Sequence, residues 1–120
     1  ITTGRASELM TAPASGVLNA IKALAGIDDK LQLLSLVVLE PIIRLKRDIL
    51  KVRDSSLSLD DVLTALSLCV ATSPIVEMAF QKLDCLQGCE AHCSVMMDSA
   101  DERMLHRLGV NITCDPVYCE

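Results

Sequence analysis

A nearly continuous apolar run, Leu31–Leu39, constrains the fold more than any other part of the sequence. A helix built from it would be apolar around most of its circumference. The rest of the chain, a second copy, a lipid or a ligand must bury such a helix. The sequence therefore predicts a central helix that begins at Asp28 or Asp29, kinks at Pro41 and continues toward Arg53.

The composition favours an all-α fold. Hydrophobic residues make up 51% of the 120 residues but aromatic residues only 2%, so the core must be aliphatic. Leucine and alanine favour helices, and no sustained apolar/polar alternation indicates strands. We predict one helical domain, residues 1–120, with a loose arm at 1–12 and a cysteine-dense C-terminal segment at 85–119. The architecture is a compact bundle of about five helices, with the proline-kinked helix at its centre, stapled by disulfides.

Capping signals mark the other four helices. Ser, Thr and Asp precede helices, proline is tolerated at the first helical position, and glycine ends helices. These signals predict a helix over 13–25 that Gly26 ends, one after Ser58, one with Ser73 as cap and Pro74 as first residue, and a last one from 98 or 99 to 108 that Gly109 ends.

Six cysteines, an even number, are typical of the disulfide framework of a secreted domain. A tight turn between the third and fourth helices would place Cys69 opposite Cys85. Cys89 and Cys93, one helical turn apart if that segment is helical, would then pair with Cys114 and Cys119 in either order.

Two further features suggest a secreted protein. Asn111-Ile112-Thr113 fits the N-glycosylation sequon, so Asn111 is a candidate glycosylation site in a surface loop. The sequence opens at Ile1 without a methionine or an apolar leader, as expected after removal of a signal peptide. The thirteen residues from Leu31 to Ile43 contain Gln32, Ser35, Glu40 and Pro41, and they are too few for a membrane span.

No catalytic signature is present. No Gly-x-Ser-x-Gly elbow surrounds any serine, and there is no phosphate-binding loop. Cys85, Cys89, His92 and Cys93 lack the spacing of a standard zinc site. We therefore predict a protein that is not an enzyme and needs no cofactor or metal. A net charge of −5 with almost no aromatic residues also argues against a nucleic-acid partner.

Five basic residues fall between positions 44 and 53 and allow two interpretations. They can form a solvated face that pairs with acidic residues elsewhere, or they can bind an anionic membrane or polysaccharide. The first interpretation is favoured because the chain outside this stretch is acidic. The five residues are Arg44, Lys46, Arg47, Lys51 and Arg53.

The apolar surplus suggests a ligand. A cavity between aliphatic helices would suit a lipid or another apolar small molecule, and an exposed apolar face would suit a homodimer or higher oligomer. We predict a secreted, non-enzymatic, disulfide-stabilised helical protein that binds apolar small molecules or lipids in an inter-helix cavity or dimer interface. The alternatives are a structural protein that assembles through apolar helix faces and a helical extracellular signalling protein. The predicted lining residues are Leu34, Val37, Val38, Ile42, Leu45, Ile49, Leu63, Leu66 and Met78.

Overall fold

The computed structural model describes residues 2–94 and 97–114, except for the side chain of Cys114. Five α-helices and one two-stranded parallel sheet are present in these residues, so the all-α prediction is wrong and the fold is mixed α/β. In chain order the elements are α1 (Ala12–Ala25), α2 (Leu36–Arg44), a π-helix (Leu45–Ile49), α3 (Leu59–Cys69), α4 (Pro74–Gln81), a 3₁₀-helix (Lys82–Leu86), β1 (Glu90–Cys93), α5 (Ser99–Arg107) and β2 (Asn111–Cys114).

Four of the predicted helices are confirmed, together with their caps. The Thr11 side chain accepts a hydrogen bond from the first turn of α1, and Gly26 ends that helix with a φ of 71°. Ser58 and Asp61 form a capping box at the start of α3. Ser73 caps α4. Each cap satisfies backbone N–H groups that a helix start leaves without partners, which is why the caps were readable from local sequence.

The predicted central helix is wrong in its start and in its position. Residues 27–35 are not helical, because the Asp28 carboxylate accepts the Lys30 N–H at 2.9 Å and forms a local turn. Lys22 Nζ holds this turn by donating to the Asp29 carbonyl at 2.7 Å. The helix begins at Leu36 and continues through Pro41 to Arg44, and of its residues Leu39 alone is buried. This helix is therefore peripheral.

Helix α1 occupies the centre instead. It packs against α3, α4, α5 and the 3₁₀-helix. Its own buried side chains are those of Ala14, Val17, Leu18, Ile21 and Lys22. A short parallel bridge between Met10 and Leu57 holds the chain entering α1 beside the chain entering α3.

The segment β1–α5–β2 is a βαβ unit, in which a helix connects two parallel strands. Gly88 and Gly109 precede the strands with positive φ values of 83° and 82°. The Gly88 N–H donates to the Gly109 carbonyl at 2.8 Å, and this bond starts the pairing. Cys89 and Cys93 would lie one helical turn apart only if this segment were helical, and that condition is not met because Glu90–Cys93 is a strand.

The predicted disulfide between Cys69 and Cys85 is also wrong. No two of the cysteine side chains that the structure describes are joined, and Cys69 on α3 does not reach Cys85 on the 3₁₀-helix. The predicted partners Cys114 and Cys119 lie outside the described side chains. The core is held by apolar packing, with hydrogen-bonded caps at the helix ends.

Asp61 makes stability depend on pH. Burial raises the pKa of this carboxyl group. Hydrogen bonds from Lys46 and Ser58, together with the charge of Lys46, lower it by more, so the pKa lies below its ordinary value of 3.8. Lys46 Nζ is 2.9 Å from Asp61 Oδ2. Because the folded-state pKa is lowered, the contribution is present at neutral pH and is lost as the pH falls through the folded-state value.

We expect Asp61→Asn to cost about 1 kcal/mol of unfolding free energy at pH 7 and less at pH 3. Urea unfolding at both pH values measures the difference. Asp60→Asn, at the exposed neighbouring position, is the matched control and should leave the pH dependence unchanged. An identical loss of stability on acidification in wild type and Asp61→Asn would contradict the assignment.

Candidate functional site: a groove along β1

A groove of about 670 Å³ lies between the first residues of the chain, α1 and β1. One side is lined by the N-terminal arm, residues 2–6, and the other by residues 89–94 without a gap. Six residues of extended chain span about 20 Å. The groove is therefore long and narrow, and it follows the whole length of β1.

The N-terminal arm lies against α1 at a close backbone approach. Gly4 packs on Gly16, and a Cβ atom at Gly4 would clash with the Gly16 backbone and lie 2.7 Å from the Ala12 carbonyl oxygen. Asn19 Nδ2 donates to the Thr3 carbonyl at 2.7 Å. A residue larger than glycine at position 4 would push the arm away from α1 and change the width of the groove.

The two strands separate polar from apolar side chains. Register partners in a parallel pair point to the same face, so Glu90, His92, Asn111 and Thr113 share one face. His92 Nδ1 lies 2.9 Å from Thr113 Oγ1, which fixes the imidazole ring across the sheet. The other face carries Ala91 and Ile112 and packs on the core.

The floor of the groove is part of the hydrophobic core. Val17 from α1, Leu86 from the 3₁₀-helix, Leu105 from α5 and Val110 before β2 are all buried and line it. An apolar floor with polar groups on the rim is the usual construction of a binding site.

The rim carries charges of both signs and two thiols. Arg5 lies on the arm, whereas Glu90 and His92 lie on β1. The exposed Cys89 thiol is 3.5 Å from the Cys85 carbonyl oxygen, and Cys93 lines the far end of the strand. Within residues 2–94 and 97–114, no three His, Cys, Asp or Glu side chains are placed to hold a metal ion.

The nine predicted lining residues do not line one common cavity in the structure. Leu34 and Leu66 are core residues, whereas Val38, Ile42 and Leu63 are partly buried. The other four are exposed, with Val37 at 82%. Of the described residues that line the groove, none belongs to these nine. The exposed positions are Val37, Leu45, Ile49 and Met78.

The basic residues and the sequon are also placed by the structure. Lys46 pairs with Asp61, and Arg47 donates to Asp48 at 3.0 Å. Arg44, Lys51 and Arg53 are exposed. Asn111 lies at the start of β2, where its N–H donates to the Cys89 carbonyl at 2.8 Å, so the predicted loop is wrong.

Together these features define a small mixed α/β domain with a βαβ unit and a groove beside it. Residues 1–120 match the family described as "Domain of unknown function DUF1846, C-terminal", and the chain belongs to this family. It is 49% identical over 118 residues to a UPF0371 protein of Clostridioides difficile (strain 630), and 46% identical over 118 residues to UPF0371 proteins of Clostridium botulinum strains Langeland and Okra. These alignments cover 98% of the chain but 24% of each relative, so the chain spans about a quarter of their length.

Family membership corrects the function predicted from the sequence. The family is described as one of unknown function and the relatives are bacterial UPF0371 proteins; neither description mentions secretion, glycosylation or lipid binding. The secreted, disulfide-stabilised carrier of apolar ligands is therefore wrong, and the assembly and signalling alternatives have no support. The prediction of a glycoprotein, which was based on Asn111, is likewise not supported. No described helix combines the length and the apolarity that crossing a bilayer requires.

The groove could not be predicted from the sequence because its two sides come from opposite ends of the chain. Residues 2–6 had no pattern, and β1 is only four residues long. The alternation in Glu90-Ala91-His92-Cys93 was the one local signal, and four residues are too few to separate a strand from a helical turn.

Proposed function

We propose that this domain binds a segment of polypeptide in an extended conformation, in the groove along β1. The shape of the groove carries the proposal. A volume of about 670 Å³ over about 20 Å gives a mean cross-section of roughly 34 Å². One strand in packed sheets occupies an area of the same order, about 4.8 Å by 10 Å.

The side chains that line the groove also suit a peptide. The floor is apolar and accepts side chains on one face of an extended segment, since alternate residues of a strand point the same way. The rim offers Arg5, Glu90 and His92, which match a ligand with both hydrogen-bond donors and acceptors. Binding of this kind gives the domain a recognition role, and the absence of catalysis stays a prediction.

A large side chain placed in the groove should weaken binding. Ala20 on α1 lines the groove, whereas Ala23, one turn further, is exposed and does not. We expect Ala20→Phe to weaken binding at least about tenfold, a change of about 1.4 kcal/mol, and Ala23→Phe to leave it unchanged. The probe is a set of six-residue peptides selected by phage display on the complete protein, with affinities measured by fluorescence anisotropy.

Hydrogen exchange identifies the source of the segment. Slow exchange of residues 2–6 in the complete protein without added peptide, accelerated by Ala20→Phe, would place a segment of the same polypeptide in the groove. Slow exchange only after peptide addition would indicate a separate partner. Selected peptides that bind Ala20→Phe as well as wild type, with fast exchange of the arm throughout, would refute the proposal.

A further inference from the structure

The α2–π segment, residues 36–52, exposes an unusual amount of apolar surface. Among the described residues twelve large hydrophobic side chains are exposed, and six of them fall in these 17 positions. Scattered exposed apolar side chains need no explanation, but a cluster marks an interaction surface. The six are Leu36, Val37, Leu45, Ile49, Leu50 and Val52.

This surface is preformed. The buried Leu39 anchors α2, which packs on α3. Lys46 Nζ fixes the π-helix by donating to Asp61 Oδ2 at 2.9 Å and to the Ser56 carbonyl at 2.7 Å. Among the described elements the π-helix packs along α2, and Lys46 joins it to Asp61 of α3. The side chains of Leu45 and Ile49 are exposed, so its outward side is open. A rigid surface loses little conformational entropy when it binds.

The charges around the apolar cluster indicate its complement. Arg44 and Lys51 are exposed cations, and Arg47 forms an ion pair with the neighbouring Asp48. An apolar surface with a basic border fits an apolar face bordered by carboxylates. The rest of the chain is acidic.

We propose that the α2–π segment docks onto such a face in the part of the longer polypeptide that lies outside these 120 residues. The relatives are about four times as long as the matched region, so in them a large part of the polypeptide is available to carry such a face. Covalent connection holds the two surfaces at high effective concentration, which favours this contact over one between separate molecules. The proposal uses other residues than the groove and stands independently of the peptide-binding function.

Hydrogen exchange on the complete protein tests the docking. We expect the double substitution Val37→Asp and Ile49→Asp to accelerate amide exchange in residues 36–52 at least about tenfold, because a docked surface must open before it exchanges. Both side chains are exposed within the domain, at 82% and 69%, so the substitutions spare its core. The matched control is Leu68→Asp with Ile75→Asp, at exposed positions outside the segment, and should leave this exchange unchanged.

Zero-length crosslinking of unsubstituted protein provides the second measurement. We expect Lys51 to be joined to an Asp or Glu outside residues 1–120, and Lys51→Arg to lose that link while keeping the charge. A mixture of isotopically light and heavy protein separates links within one copy from links between copies. Links only between copies would replace the proposal with a dimer. Fast exchange of 36–52 in wild type, or slow exchange only with phosphatidylglycerol vesicles, would overturn it.

Discussion

Replacing Asp101 with alanine should lower the free energy of unfolding by about 3 kcal/mol. Asp101, in the first turn of α5, is 1% exposed, and its Oδ1 accepts the N–H of Leu59 at 2.8 Å. Leu59 is the first residue of α3 and is fully buried, so no water can take over the bond. The substitution leaves a buried N–H without an acceptor and removes a negative charge from the positive end of the α3 dipole.

Two controls separate the hydrogen bond from the charge. Asp101→Asn keeps an acceptor oxygen and should cost about half as much as the alanine substitution. Asp60→Ala removes an exposed carboxylate from the same end of α3 and should change stability by about 0.5 kcal/mol. Urea unfolding measures all three. If Asp101→Ala costs no more than Asp60→Ala, Asp101 does not cap α3 in solution.

The second large effect is expected at Leu66. This side chain is fully buried in the hydrophobic cluster, and Leu66→Ala should cost about 3 kcal/mol by loss of apolar burial and creation of a cavity. Leu68 lies two positions later in α3 and is 74% exposed, which makes Leu68→Ala a matched control with an expected change within about 0.5 kcal/mol.

The Leu66 experiment also tests the core assignment. A leucine that lined an open cavity would lose little packing when truncated, so a cost similar to that of Leu68→Ala would contradict the core described here. An unchanged dependence of the unfolding free energy on urea concentration would show that the substitution changes stability and not the compactness of the unfolded state.

The helices with strong local signals were predictable from sequence. Thr11, Ser58, Ser73 and Asp98 cap their own helices, and each lies next to the residues whose N–H groups it satisfies. Such signals act within one turn and do not depend on the rest of the fold. Glycine at the end of α1 acts equally locally.

The prediction of a central apolar helix was wrong because the composition of a segment does not determine where that segment lies in the fold. The turn at Asp28 competes with helix formation, and Leu33 and Leu34 are buried from an irregular segment. Val37 and Ile49 are apolar in sequence and exposed in the structure, which periodicity within one segment cannot reveal. Their exposure follows from how little chain packs over α2.

The sheet and the groove were not predicted from the sequence for a different reason. β1 pairs with a strand that starts 21 positions later, so its partner is invisible in a local window. The even number of cysteines indicated disulfides only on the premise of an oxidising compartment. In the structure Cys89 and Cys93 line the groove, and Cys69 is a partly buried side chain of α3.

The bridge between Met10 and Leu57 has a consequence for how this family can vary. The Thr11 N–H donates to the Leu57 carbonyl at 2.9 Å and the Leu57 N–H to the Leu9 carbonyl at 2.8 Å, which joins both ends of a long excursion of the chain. Loop-closure entropy grows slowly with length. Insertions and deletions between positions 53 and 55, outside the α2–π segment, can therefore lengthen or shorten the excursion while its base stays paired. Homologues can vary in length there without a change in the core.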